Sequence, residues 1–242
     1  TPDFRVEQLT LLNGYVAGSG AGLSVTAVWA SNQMHHCRIL TNETTGSGRM
    51  GGGVYVGRDS ALVISNTLLQ RNYAGSDYGS GGGGLAVDRS GRLAAFSLLI
   101  LTNRGYSSHS GVYGGGLWND GGEVQLFNCV FAGNWLKYAS GNDPYENGDA
   151  IYVAGNTTLE NCTVVNNANK GIIRNSGLLL IRNSIVWNNL NDVMGTATLE
   201  YSNIGSGAVA GVNGNISTNP LFINPAAYDF RLQSAYGRDD GL

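Results

Sequence analysis

The sequence predicts an all-β chain wound as a parallel β-helix with three short strands per coil. Three observations predict it: one phrase recurs at a nearly fixed period, glycine is abundant while charge is scarce, and no apolar run reaches the length of a typical helix. The phrase is a strand-like run ending in Asn, a loop, a glycine cluster and another short apolar strand. Its ends fall at Asn42, Asn72, Asn103, Asn134 and Asn166, at steps of 30, 31, 31 and 32 residues. Gly51-Gly52-Gly53, Gly82-Gly83-Gly84 and Gly114-Gly115-Gly116 keep the same beat, with Gly22 before them and a degenerate Gly148-Asp149-Ala150 after. A fixed period of this size marks a solenoid, whose repeats bury their apolar faces only by stacking on their neighbours.

Composition agrees. The 242 residues include 37 Gly and only 4 Pro, with 13% charged, which suits β structure with many tight corners. One domain is expected, with coils over residues 1–218 and a truncated C-terminal capping segment over 219–242. The formal charge of −3 and the single scattering of the 14 Lys and Arg argue against a nucleic-acid partner, which requires clustered cations. No stretch approaches the roughly 18 apolar residues of a membrane span, so no membrane insertion by this segment is expected. The opening Thr1-Pro2-Asp3 has no basic-then-apolar leader, and Phe4 to Leu11 reads as one strand entered midway, as in an excised piece of a longer chain.

The first strand of each coil follows the glycines: Leu23-Ser24-Val25, Val54-Tyr55-Val56, Leu85-Ala86-Val87, Leu117-Trp118-Asn119, Ile151-Tyr152-Val153 and Ile172-Ile173-Arg174. Apolar residues alternate there with more permissive ones, the period-two signature of a strand with one buried face. The second strand comprises Leu62–Ile64, Leu93–Phe96, Val124–Phe127, Thr158–Glu160 and Leu178–Ile181. The third comprises Arg38–Leu40, Leu68–Gln70, Leu99–Leu101, Val130–Ala132, Val164-Val165 and Ile185–Trp187. Corners between them carry Gly, Asn, Asp and Ser. The 22-residue step from Asn166 to Asn188 is the bare coil, and longer repeats carry about 9 more residues.

An Asn amide both donates and accepts along the solenoid axis, and Asn tolerates left-handed backbone. Asn42, Asn72, Asn103, Asn134, Asn167 and Asn189 are therefore the candidate structural ladder. The glycine triplets supply positive φ and close backbone approach. They do not form a phosphate cradle, since no helix or Lys accompanies them. Cys37, Cys129 and Cys162 each lie five residues before a ladder Asn and lack metal-ligand spacing, so they read as free thiols in an inward stack. His35 and His36 point to opposite faces of a strand, as a surface His beside a corner His.

The longer repeats expand at one place, residues 43–50, 73–81, 104–113 and 135–147, between the Asn and the glycines. Stacking lines these loops up as a ridge rich in rings: Tyr73, Tyr78, Tyr106, Tyr113, Trp135, Tyr138 and Tyr145, with Asp143 and Glu146 among them. Flat rings with polar rims suit sugars or protein partners, and loops on a rigid scaffold commonly carry binding. The alternative is that the rings cover one another and the glycine-rich corner.

Asn161-Cys162-Thr163-Val164-Val165-Asn166-Asn167, Arg182-Asn183-Ser184-Ile185-Val186-Trp187-Asn188-Asn189 and the glycine-strand phrases resemble the right-handed parallel β-helix repeat proteins of bacterial cell surfaces, among them the polymorphic outer-membrane proteins and proteins ending in sorting anchors. Residues 219–234 resemble the segment that closes such helices, although the tail from Ala235 departs from it. The resemblance spans nearly the whole chain. It implies a right-handed helix and an extracellular or cell-surface location, and it leaves activity open because the fold hosts enzymes, adhesins and fibres alike.

Three readings follow. The leading one is a non-catalytic scaffold that displays the aromatic ridge to a glycan or a surface protein. The second is a carbohydrate-active enzyme or binding module. Catalysis would draw on Asp143, Glu146 and Asp149 with His109 and Lys137, but the coils lack the paired acids that hydrolysis needs and the Lys or Arg base with calcium that a lyase needs. The third is end-to-end self-association through open coil edges. No cofactor is expected. A structural calcium at Asp143 and Glu146 is the one ion that the sequence admits.

Overall fold

The computed structural model describes residues 4–26, 31–76, 78–109, 111–139, 146–207 and 209–233, without the side chains of Ser31, Glu146 and Asn147. It is a parallel β-solenoid. Three long sheets run the length of the stack, and every strand pair within them is parallel.

Sheet I follows the glycines: Leu23–Val25, Val54–Val56, Leu85–Val87, Leu117–Asn119, Ile151–Val153, Lys170–Arg174 and Asn191–Met194. Sheet II holds eight strands, from Arg5–Glu7 through Ala61–Ser65, Arg92–Phe96 and Glu123–Phe127 to Thr198–Glu200. Sheet III holds eight more, from Thr10–Leu12 through Leu68–Gln70, Leu99–Leu101 and Val130–Ala132 to Asn203–Ile204. Alternation decides what is inside. Equivalent inward positions stack into columns such as Leu85, Leu117 and Ile151 from sheet I, and Leu69, Ile100, Phe131 and Val164 from sheet III, all buried.

Two corners per coil turn on one left-handed residue each. Between sheets II and III these are Gln8, His36, Asn66, Ser97, Asn128, Asn161 and Asn183, with φ between 48° and 55°. After sheet III they are Asn13, Thr41, Arg71, Thr102, Gly133, Asn166 and Asn188. Two sequence expectations change here. The run Phe4 to Leu11 is not one strand, because Gln8 breaks it into Arg5–Glu7 and Thr10–Leu12. Asn166 belongs to the corner column with Thr41 and Arg71; its neighbour Asn167 continues the series of Asn42, Asn72, Asn103 and Asn134.

That series is a buried hydrogen-bond ladder. The backbone N–H and the side-chain Nδ2 of each Asn donate to Oδ1 of the next: Asn72 to Asn103 at 2.9 and 2.9 Å, and Asn134 to Asn167 at 2.9 and 3.0 Å. The same Nδ2 also donates to a carbonyl of the coil behind, Ile39 for Asn72 and Ile100 for Asn134. Every rung thus satisfies a backbone N–H that the corner takes out of the sheets. The third glycine of each triplet gives the ladder room: a Cβ on Gly84 would lie 2.7 Å from the Gly116 carbonyl and 3.0 Å from Asn103 Nδ2. The thiols of Cys37, Cys129 and Cys162 are free and buried in the column shared with Thr67, Leu98 and Ser184. At the other corner, His35 meets Ser65 at 2.7 Å on the surface while His36 turns the chain.

The expanded segments are not loops alone. Tyr15–Val16, Glu43–Thr44, Tyr73–Ser76, Arg104–Ser107 and Trp135–Tyr138 form a parallel corner sheet, and Ser80–Gly81, Val112–Tyr113 and Glu146–Asn147 form a second. Near the C-terminus, Phe222–Asn224 and Asp229–Leu232 form an antiparallel hairpin around the 3-10 turn Pro225–Ala227. The hairpin lies on the flank of the solenoid, where Phe222 packs with Leu101, Ala132 and Val165 on the outer side of sheet III.

Candidate ligand-binding surface

The corner sheets sort the predicted rings into separate groups. Tyr73 and Trp135 sit in one register column with Arg104 between them, its guanidinium 4.3 Å from the Tyr73 ring centroid and 5.8 Å from that of Trp135. Tyr78 is exposed and stacks on His109 at 5.1 Å. Tyr106 and Tyr138 are half-buried. Tyr113 leaves the ridge altogether and packs on Trp118 and Tyr152, with centroids 5.0 and 4.8 Å away. Asp143 and Tyr145 lie outside the described residues, as does the side chain of Glu146. Asp149, grouped with them as a catalytic candidate, is buried; its carboxylate accepts the backbone N–H groups of Leu136, Asn169 and Lys170 at 2.7 to 2.9 Å. Burial pushes its carboxyl above the usual range despite those three bonds. It ties the strand Trp135–Tyr138 to the start of Lys170–Arg174.

Tyr113 marks a surface whose other members come from sheet I. The central residues of successive strands share one outward column: Tyr55, Ala86, Trp118, Tyr152 and Ile173. Their flanking residues Val54, Val56, Leu117, Ile151 and Val153 fill the core, so the period of two turns the central residues away from it; Tyr55 and Trp118 are half-buried there, while Ala86 and Tyr152 are buried, Tyr152 at 8% exposure. Gly114, at φ 51°, swings the chain from Tyr113 into the next sheet I strand. Gly81 keeps the space below Trp118 open, since a Cβ there would come within 2.7 Å of its indole ring.

Each of the strands Leu85–Val87 and Leu117–Asn119 is followed at once by an aspartate, Asp88 and Asp120, on neighbouring rungs. Their environments differ. Asp88 is 13% exposed; one oxygen accepts the Arg89 backbone N–H at 2.7 Å, the other accepts the Tyr55 hydroxyl at 2.8 Å, and Arg58 lies at 3.5 Å. Asp120 is 29% exposed and meets only the Arg89 guanidinium at 3.7 Å, its carboxylate accepting no hydrogen bond among the described residues. Burial raises the Asp120 carboxyl above the usual carboxylate range, helped by the charge of Asp88 and opposed by Arg89 and Arg58. Burial likewise pushes the Tyr152 phenol up to about 12, with Tyr113 and Asp120 adding to it. The Tyr55 phenol is raised by burial and by its bond to Asp88. Trp118 Nε1 is buried without an acceptor. An unpaired buried donor costs about 1–3 kcal/mol, so this position holds an indole against a local penalty.

The sequence reading found Tyr113 but missed Tyr55, Trp118, Tyr152, Asp88 and Asp120. The available signal was the aligned column of large rings at the centre of the post-glycine strands. A shallow depression of about 290 Å³ on sheet II is lined by Val63, Ala94 and Gln125 beside the Arg92 and Glu123 pair, and its lining offers no ring face. Among the described residues, no group of three or more His, Cys, Asp or Glu could hold a metal ion.

Fold and surface together define a parallel β-solenoid module with an aromatic and acidic outer face. No protein-family model, curated protein or solved structure matches the chain.

Proposed function

We propose that this chain is a rigid, non-catalytic module of a secreted or cell-surface protein and that it binds a glycan on the outer face of sheet I. The single observation carrying this reading is the Tyr113, Trp118 and Tyr152 cluster beside the carboxylate of Asp120, which has an ion pair to Arg89 but accepts no hydrogen bond among the described residues. Ring faces accept the C–H faces of sugars, and an open carboxylate accepts sugar hydroxyls. The groups stand on hydrogen-bonded strands, so little side-chain or backbone freedom is lost on binding. Pairing of both acids with arginines supports recognition over proton transfer. The resemblance to bacterial surface β-helix proteins supports the location.

One observation favours a second reading, a retaining glycoside hydrolase: Asp88 and Asp120 sit on adjacent rungs, about 4.8 Å apart along the stack, near the carboxylate spacing of such enzymes. A glycan array of the full chain, run beside reducing-end and unsaturated-uronate assays, tests both. The scaffold reading expects glycans retained without cleavage, and loss of retention in Trp118→Ala. Turnover that disappears in Asp88→Asn and Asp120→Asn would replace it with the hydrolase reading.

A further inference from the structure

The carboxylate of Asp120 and the rings beside it carry the argument one step further, to the kind of sugar; this step rests on the glycan reading above. Asp88 is saturated by the Arg89 backbone N–H, the Tyr55 hydroxyl and Arg58. Asp120 has only a loose ion pair and is still partly open to solvent. A carboxylate is an acceptor with room for several donors, and a half-buried one gains most from donors brought by a ligand. Sugar hydroxyls are such donors. A ligand carboxylate is not: it would be pressed against Asp120, with Asp88 one rung behind, in a place that burial already makes costly for negative charge.

The cations do not reverse this. The guanidinium groups of Arg58 and Arg89 already face Asp88 and Asp120, at 3.5 and 3.7 Å, so neither is an unpaired cation at this surface. A sugar stacked on the half-buried rings of Trp118 and Tyr113 meets the open carboxylate rather than an unpaired guanidinium. We infer that the outer face of sheet I selects neutral, hydroxyl-rich glycans over uronate-containing ones, and that Asp120 is the residue that sets this selectivity while Trp118 supplies the platform.

Isothermal titration calorimetry of the full chain tests the inference with neutral xylo- and gluco-oligosaccharides against oligogalacturonides of matched length. The expected result is binding of at least one neutral series, about tenfold or more weaker binding of the uronate series, and a narrowed ratio in Asp120→Asn. Trp118→Ala should weaken every series that binds. Asp120→Ser serves as a second variant, and thermal melts confirm that each variant folds. Uronate binding equal to or tighter than neutral binding in the unsubstituted chain would overturn the selectivity and leave the glycan reading standing. An unchanged ratio in both Asp120 variants would remove Asp120 from the role. No binding of any series would overturn the glycan reading itself.

Discussion

Asn189 donates its backbone N–H and its side-chain Nδ2 to one carboxylate oxygen of Asp192, at 3.1 and 3.0 Å. This pair ends the amide ladder that begins at Asn42, where Oδ1 accepts the Gly14 backbone N–H at 2.9 Å. An aspartate can close the series because it accepts without donating onward. A second, shorter series closes similarly: Cys162 N–H donates to Ser184 Oγ, Ser184 N–H to Ser202 Oγ, and Ser202 N–H to Asn215 Oδ1. Both corners of the solenoid are therefore stitched by side chains and ended by a polar residue.

The ladder makes a sharp distinction between adjacent asparagines. Asn134→Ala removes the acceptor of the Asn103 backbone N–H and leaves that donor buried and unpaired, besides opening a void. A loss of at least ~3 kcal/mol is expected, from the orphaned donor and the lost charge-free bonds together. Asn166→Ala, by contrast, breaks an exposed bond to Asn188 and puts Ala in left-handed backbone, for a loss of about 1 kcal/mol. Urea unfolding of the two variants checks the difference; equal losses would contradict it.

Much of this scaffold was legible because one residue type recurs in phase. Five of the six third strands read from the sequence match the structure at both ends, since each is a short apolar run before a turn. The ladder set held Asn167, as the hydrogen bonds have it, but the repeat count ended on its neighbour Asn166, because both are Asn and spacing alone does not separate the corner residue from the ladder residue. The surface was harder to see. Tyr55, Ala86, Trp118, Tyr152 and Ile173 share a column but no residue type, and Asp88 and Asp120 meet only through pairing of strands about 30 residues apart. The corner strands were read as loops because their inserts differ in length, so no fixed period revealed their register.

The C-terminal hairpin is a separable layer. Phe222 and Phe230 meet edge to face at 5.3 Å over Leu101, Ala132 and Val165. Phe222→Ala should cost about 3 kcal/mol, with the loss confined to the hairpin and the outer side of sheet III. Hydrogen exchange is the measurement: amides of Phe222–Asn224 and Asp229–Leu232 should lose protection while those of sheet I keep it. Uniform loss of protection across all three sheets would show instead that the hairpin is part of one cooperative unit.

Asp120 should titrate above the ordinary carboxylate value of about 3.9, because burial outweighs the pull of Arg89 and Arg58 and Asp88 adds to the rise. A raised folded-state value means the folded chain holds this proton more tightly than the unfolded chain. The resulting stability is fully present below the unfolded value and is lost as pH rises through the folded one. Relative to the unsubstituted chain, Asp120→Asn should therefore flatten melting temperature across that window. Carbon NMR of the carboxyl reads the same effect directly: Arg89→Ala should raise the Asp120 midpoint further, and Asp88→Asn should lower it. Movement in the opposite directions would refute the assigned causes.

Two tryptophans separate the surface on sheet I from the corner ridge. Trp135 shares Arg104 with Tyr73, so part of its ring face is already covered by a guanidinium. Trp118 packs on Tyr113 and borders the open carboxylate of Asp120. If ligand stacks on sheet I, Trp118→Ala should weaken binding by about thirtyfold, the effect of removing a central ring worth about 2 kcal/mol. Trp135→Ala should change it by less than about threefold, the scale of a peripheral contact. Equilibrium binding of one neutral oligosaccharide to both variants, with melts to show that each is folded, decides the matter. A reversed order would move the site back to the ridge of Tyr73, Arg104 and Trp135, where the guanidinium sandwiched between two rings would then have to be the group that the ligand displaces.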